Sequence, residues 1–178
     1  HTFKSDHSDT EVLLHGYHQW GSDLPGKLEG MFAFAIWNAE TRRLFLARDR
    51  MGKKPLYIRC HDREMIFASL VGTLAQGPIE IDPDAMRMFL RLGYTDGQSL
   101  IKDVAELPPG HWMMVDPSGR ARQHGYWRAP LPSETAVADT LMDALEQAVS
   151  CRLEADVELG CFLSGGIDSS VVAAIAQR

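Results

Sequence analysis

The sequence predicts an α+β architecture, layered antiparallel sheets with helices outside them, followed by the opening of a parallel α/β unit. Three observations point there. Between residues 31 and 127, short apolar runs come in pairs joined by turn residues. One of them, MFAFAIW at 31–37, is apolar on both faces, as a strand covered from two sides must be. After residue 132 the order becomes helix, short apolar run, glycine loop, helix, which is how a parallel α/β unit begins.

The elements follow in order. Residues 8–11, SDTE, fit a capping box: Ser8 accepts from the backbone at Glu11 and the Glu11 side chain reaches back to Ser8. Leu13, Tyr17 and Trp20 then recur at helical spacing, and Gly21 supplies a left-handed stop. In MFAFAIW, Phe32, Phe34 and Ile36 face one way and Ala33, Ala35 and Trp37 the other; NAETRR turns the chain into LFLARD. PLYIRC, the turn HDRE and MIFAS form a second antiparallel pair. Asp82 as N-cap with Pro83 at the first helical position opens a helix through Leu92 that Gly93 closes. LPPGHWMMVDPSGRARQHGYW reads as a further hairpin turning at DPSG.

Residues 128–132 carry two prolines and read as a linker between a domain at 1–127 and a truncated one at 133–178. A helix beginning at Ser133 carries Val137, Leu141, Leu145 and Val149 at four-residue steps, with Ala144 and Ala148 beside them. LGCFL is then a short apolar strand, the glycine pair a turn, and Asp168 onward a helix start.

Composition excludes several classes of function. With 178 residues the chain can hold one sizeable core, or one domain and part of another. A net charge of −6 and the lack of a basic run argue against a nucleic-acid partner. The longest apolar run, residues 31–37, is far short of the roughly 20 residues a membrane span needs. Cys60, Cys151 and Cys161 are odd in number and widely spaced, so each is expected to be a reduced, small, buried hydrophobe in a cytoplasmic protein. The text begins at His1 without an apolar leader and is expected to be an internal start.

The stretch CFLSGGIDSS, residues 161–170, carries the most chemistry. A strand running through SGG into a helix brings free backbone N–H groups and the positive end of a helix dipole to one place, a geometry suited to phosphate. Gly165 and Gly166 leave room, and the hydroxyls of Ser164 and Ser169 can donate. A Walker loop is excluded because no lysine occurs after Lys102, and a nucleophile elbow because Phe162 stands where GxSxG needs glycine. From the residues alone, a plain glycine turn with Asp168 capping a helix stays open beside the phosphate loop.

The whole string SGGIDSS after an apolar run resembles the SGGxDS loop of the N-type ATP pyrophosphatases. SDTEVLL, GMFAFAIW, ARDRMGKKPLY, LPPGH and YW, in that order before it, resemble glutamine-hydrolysing asparagine synthetase over essentially the entire chain. The resemblance implies the C-terminal portion of a class II glutamine amidotransferase domain of αββα layers, then the start of a parallel ATP-pyrophosphatase domain. It implies a ligase that takes ATP, L-aspartate and L-glutamine to L-asparagine, AMP, diphosphate and L-glutamate through β-aspartyl-AMP. Glutamine, aspartate and ATP are the implied small-molecule partners, Mg2+ the implied cofactor, and a homodimer is admitted.

By position, Asp9 matches the aspartate that binds the amino group of glutamine, where a carboxylate gives a charge-assisted hydrogen bond; otherwise it is an acid in the first turn of a helix, favoured there by the dipole. Ser164, Gly165, Gly166 and Ser169 match the pyrophosphate loop, Asp168 the aspartate that helps hold Mg2+, and Phe162 a backbone contact to adenosine. Glu11 reads as the capping partner, and Arg48, Asp49 and Arg50, at a strand end, as a structural turn with an ion pair in a surface charge cluster rather than as catalytic groups. None of the three cysteines matches the family's N-terminal nucleophile, and its arginine and asparagine-glycine-glutamate elements have no counterpart here. Leu70 stands where the family usually has glutamate in FASE. Alone, the 178 residues are expected to be inactive, with an unpaired strand at Leu163 and a mobile loop. An enzyme of the same mechanics that amidates or cyclises another carboxylate is one alternative, and a non-catalytic remnant or binding module another.

Overall fold

The computed structural model describes residues 3–5, 8–61, 64–131 and 139–177. The chain divides into two units, residues 1–128 and 129–178.

In the first unit, Ser8 is the N-cap of α1 (Asp9–Trp20), its side chain accepting from the Glu11 amide. Glu11 does not return the bond to Ser8: it reaches further back, to Lys4 and Ser5. Only half of the expected capping box forms, because the chain before Ser8 folds close enough to offer better donors. Gly21 closes α1 at φ 54 and ψ −128, a positive φ outside the left-handed helical region. A short 3-10 turn (Gly21–Asp23) and α2 (Leu24–Lys27) follow.

Sheet one runs β1 (Ala33–Asn38), β2 (Arg43–Arg48), β6 (His111–Val115) and β7 (Ala121–Gly125), in that spatial order and antiparallel throughout. Sheet two runs β4 (Glu64–Ala68), β3 (Tyr57–His61) and β5 (Val104–Glu106). The period-two alternation of the strands sorts their side chains into layers. Phe34, Ile36, Phe45 and Ala47 point to α1 and α2, meeting Leu13, Tyr17 and Leu24. Tyr17 stacks on Phe45 with centroids 5.0 Å apart. Leu46, with Ala33, Leu44 and Met113, packs on Ile58 and Met65 of the second sheet. The far side of that sheet, through Tyr57, Ile66 and Ala68, buries Leu74 of α3 (Val71–Leu74) and Ile101. The order is therefore helix, sheet, sheet, helix, the αββα layering expected from the sequence.

The helix α4 (Pro83–Leu92) has Asp82 accepting from the amides of Asp84 and Ala85, and Gly93 in the left-handed conformation at its end, as the sequence predicts. Two side chains depart from expectation. Trp37 is exposed, so only the Ala33 end of the second face of β1 is covered. Trp20 leaves the core and carries Lys27 over its ring at 5.5 Å.

In the second unit, α5 (Asp139–Ser150) and α6 (Ile167–Ala176) pack on one another, burying Val149 and Ile175. The start of the helix predicted from Ser133 lies outside the described residues. LGCFL is not a strand: among the described residues, 159–163 have no strand partner to supply a ladder of hydrogen bonds, and Leu159, Phe162 and Leu163 are exposed. Among the described residues, no helix is long and apolar enough to cross a membrane.

Candidate functional site

Three sequence motifs of the first unit meet in one buried cluster. Arg48, 4% exposed, ends β2 and turns its guanidinium inward, donating to the carbonyls of Lys54 (2.8 Å), Leu107 (2.7 Å) and Gly52 (2.8 Å). It also pairs with Glu106 at 2.7 Å. Asp49, 1% exposed, accepts from four backbone amides: Phe32, Met51, Lys53 and Lys54, at 2.9–3.3 Å. Burial alone would push its carboxyl upward; the four amide donors outweigh that and hold it below the usual carboxylate range. Gly110 of LPPG donates to the Asp49 carbonyl at 2.9 Å, and the Tyr126 hydroxyl to the Arg48 carbonyl at 2.7 Å.

A structural turn with an ion pair is what the sequence predicts, and only its placement at the surface is corrected. Arg48 and Asp49 are buried, and the ion pair runs from Arg48 to Glu106. Their polar atoms are spent on the fold, which leaves none for a substrate. The signal that could have found this was the spacing of RDRMGK, LPPG and YW around apolar strands.

Asp9 is an exposed residue of the first turn of α1. Its neighbour Glu11 is engaged: its carboxylate accepts from the amides of Lys4 and Ser5, both at 2.7 Å, and from the Ser5 hydroxyl. Of the two acids in this turn, Asp9 is the one offered outward. Leu70, at the N-cap of α3, is exposed and makes no side-chain capping bond; an acid there could accept from the first amides of the helix, and leucine cannot.

The cysteines are corrected as well. Cys60 lies within β3, Cys151 just after α5 and Cys161 in the coil before the glycine loop; all three are exposed and free. Cys60 borders a cavity of about 410 Å³ between the two sheets, with Ile58, Glu106, Met113 and Gln123. Each cysteine nitrogen is locked in a peptide bond, so none can use its own α-amino group as a base.

In the second unit, Gly165 has φ +82, and a Cβ built there would meet no atom within 4 Å. Gly166 is the N-cap of α6 and offers no side-chain acceptor to the first amides of the helix. The Ser164 and Ser169 hydroxyls lie 3.0 Å apart across the loop, and Ser169 and Ser170 each donate to the Gly166 carbonyl, at 3.1 and 2.8 Å. Asp168 stands exposed in the first helical turn, and Phe162 is fully exposed. The donor set fits an anionic phosphate chain: two hydroxyls, open backbone and a helix N-terminus at one spot. Among the described residues no group of three or more His, Cys, Asp or Glu could hold a metal. A single carboxylate fits Mg2+, which is commonly held by one or two carboxylates together with phosphate oxygens.

The family model described as a glutamine amidotransferase domain matches residues 1–127, and one described as asparagine synthase matches residues 140–178. Glutamine-hydrolysing asparagine synthetase 1 of Bacillus subtilis is 36% identical, over 100% of this chain and 29% of its own length. Amidase chry2 of Gibberella zeae is 31% identical, over 96% of this chain and 27% of its own length. A solved glutamine phosphoribosylpyrophosphate amidotransferase from B. subtilis aligns at a TM-score of 0.45 and 18% identity, over 99% of this chain and 39% of its own. The chain spans less than a third of the length of these two curated relatives.

Proposed function

Because the chain belongs to the glutamine amidotransferase domain family, we propose that the protein carrying it is a glutamine-hydrolysing asparagine synthetase, with residues 1–127 serving glutamine and residues 133–178 opening the ATP-dependent unit beyond a linker at 128–132. The overall reaction takes ATP, L-aspartate, L-glutamine and water to L-asparagine, AMP, diphosphate and L-glutamate. The observation that carries the reading is the loop at 164–169, whose hydroxyls converge beside an open glycine and an uncapped helix N-terminus.

ATP supplies the energy by turning the aspartate side-chain carboxylate into a group with a good leaving group. The chain's own residues bind and orient. Ser164, Gly165, Gly166 and Ser169 would hold the phosphates, Asp168 would hold Mg2+ beside them, and the backbone at Phe162 would meet the adenosine. Asp9 would receive the α-ammonium of glutamine, a charge-assisted contact that fixes the substrate by its amino end. Three free, exposed thiols support a reducing compartment, the cytoplasm.

The test uses the full-length protein. Asp168→Asn should abolish aspartate-dependent pyrophosphate release and leave glutaminase activity in place; normal pyrophosphate formation would remove Asp168 from the metal site. Asp9→Ala should lose glutamine-dependent synthesis and keep ammonia-dependent synthesis. A second reading, an amidotransferase for another carboxylate, draws on the 31% identity to amidase chry2. A screen of carboxylic acids for ATP-to-AMP turnover separates the two: aspartate as the preferred acceptor supports the first.

A further inference from the structure

Glu11 sits two residues from Asp9, and its side chain is only 18% exposed. Besides the amides of Lys4 and Ser5 and the Ser5 hydroxyl, it meets His15 Nε2 at 3.3 Å, one helical turn on. Phe3 lies edge-on against the His15 ring, centroids 4.9 Å apart. Residues 3–5 are therefore clasped to the face of α1 that carries positions 11 and 15. The carboxyl of Glu11 is pulled down to about 2, first by the Ser5 hydroxyl, then by the two amides, and least by His15. It is ionised at any ordinary working pH. Side chains two apart on a helix do not face each other, so Asp9 points away from the clasp.

On the reading that Asp9 receives glutamine, we infer that Glu11 is a positioning residue: by clasping residues 3–5 to α1 it steadies the first turn of the helix, and so where Asp9 stands. One acid holds the turn and the other meets the substrate. A misplacement of about 1 Å can cost roughly a hundredfold in an oriented site, so a loosened clasp should be felt mainly in glutamine binding.

The experiment compares Glu11→Ala, Glu11→Gln and Asp9→Ala in the full-length protein, reading the glutamine KM, ammonia-dependent synthesis and hydrogen exchange at the amides of Lys4 and Ser5. Glu11→Ala should release both amides and raise the glutamine KM about tenfold, a loss on the scale of one charge-assisted hydrogen bond, with ammonia-dependent synthesis unchanged. Glu11→Gln keeps one carbonyl acceptor and should fall between Glu11→Ala and the parent. Release of the amides with an unchanged KM overturns the inference, and so does retained protection of the amides. If Glu11→Ala unfolds the domain, Glu11→Gln decides on the same two readouts. If Asp9→Ala leaves glutamine dependence intact, the assignment of Asp9 fails by itself, and a raised KM in the Glu11 variants cannot restore it.

Discussion

The turn at residues 48–54 and the loop at residues 164–169 are both glycine-bearing family motifs, and they spend their polar groups in opposite ways. In the first, each Asp49 carboxylate oxygen accepts two backbone amides, while the Arg48 guanidinium holds three carbonyls and Glu106. In the second, among the described residues, the hydroxyls bond to one another and to Gly166, with Ser164 and Ser170 exposed and Ser169 half-buried, and the first amides of α6 meet no side-chain cap. A motif whose donors and acceptors are consumed internally encodes scaffold. On the proposed reading, the motif that leaves its backbone amides open is the one kept for a ligand.

The largest expected effect breaks that contrast most directly. Asp49→Ala strips the acceptor from four backbone amides at a residue 1% exposed, and should cost about 3 kcal/mol of stability. Asp168→Asn, at an exposed residue, should stay within about 0.5 kcal/mol. Urea denaturation of the full-length protein and both variants measures the difference, and equal losses would mean that the two motifs do the same work. The carboxyl of Asp49 is held below its ordinary 3.8 in the fold. The stability it adds is present above pH 3.8 and fades as pH falls toward its folded value, so Asp49→Ala and the parent should converge in acid.

A smaller pair sharpens the comparison at the glycines. A Cβ at Gly52 would come within 2.8 Å of Pro109 Cγ and 3.0 Å of Arg48 Nη2, at φ +63. At Gly165 it would meet nothing, at φ +82. Both substitutions carry the left-handed penalty of roughly 1–2 kcal/mol. Only Gly52→Ala adds a clash with the cluster, so it should cost about 1 kcal/mol more than Gly165→Ala, read from the same denaturation curves.

Much of the first unit was legible because its signals are local. Asp82, Pro83 and Gly93 each act within one turn, and the alternation in MFAFAIW sorts residues by face whatever lies beyond. What the sequence did not reveal depends on groups far apart in the chain. Arg48 and Glu106 are 58 positions apart, and no short window shows that the pair is buried. Glu11 found partners upstream of its cap because the amides of Lys4 and Ser5 lie within reach of its carboxylate. LGCFL has the composition of a strand, but strand structure belongs to a pair. Apolar character likewise failed for the cysteines, since a small thiol follows whatever exposure its neighbours leave it. At the glycine loop, the letters fixed the turn and the helix start to within a residue of α6.

The smallest effect concerns the tie between the YW motif and the turn. The Tyr126 hydroxyl donates to the Arg48 carbonyl at 2.7 Å, and burial first, then the charge of Asp49, raises its pKa from 10.0 to about 12. The unfolded chain therefore releases this proton earlier than the folded one. Its contribution to stability is complete below pH 10 and is lost as pH rises through 12. Tyr126→Phe should cost about 1 kcal/mol at neutral pH, the usual net worth of one hydrogen bond. The variant lacks the group whose ionisation erodes the parent, so the gap between them should close from pH 10 upward. Urea midpoints at pH 7, 9 and 11 decide it: a gap that is absent at pH 7, or that persists undiminished at pH 11, would show that this hydroxyl does not fasten the turn.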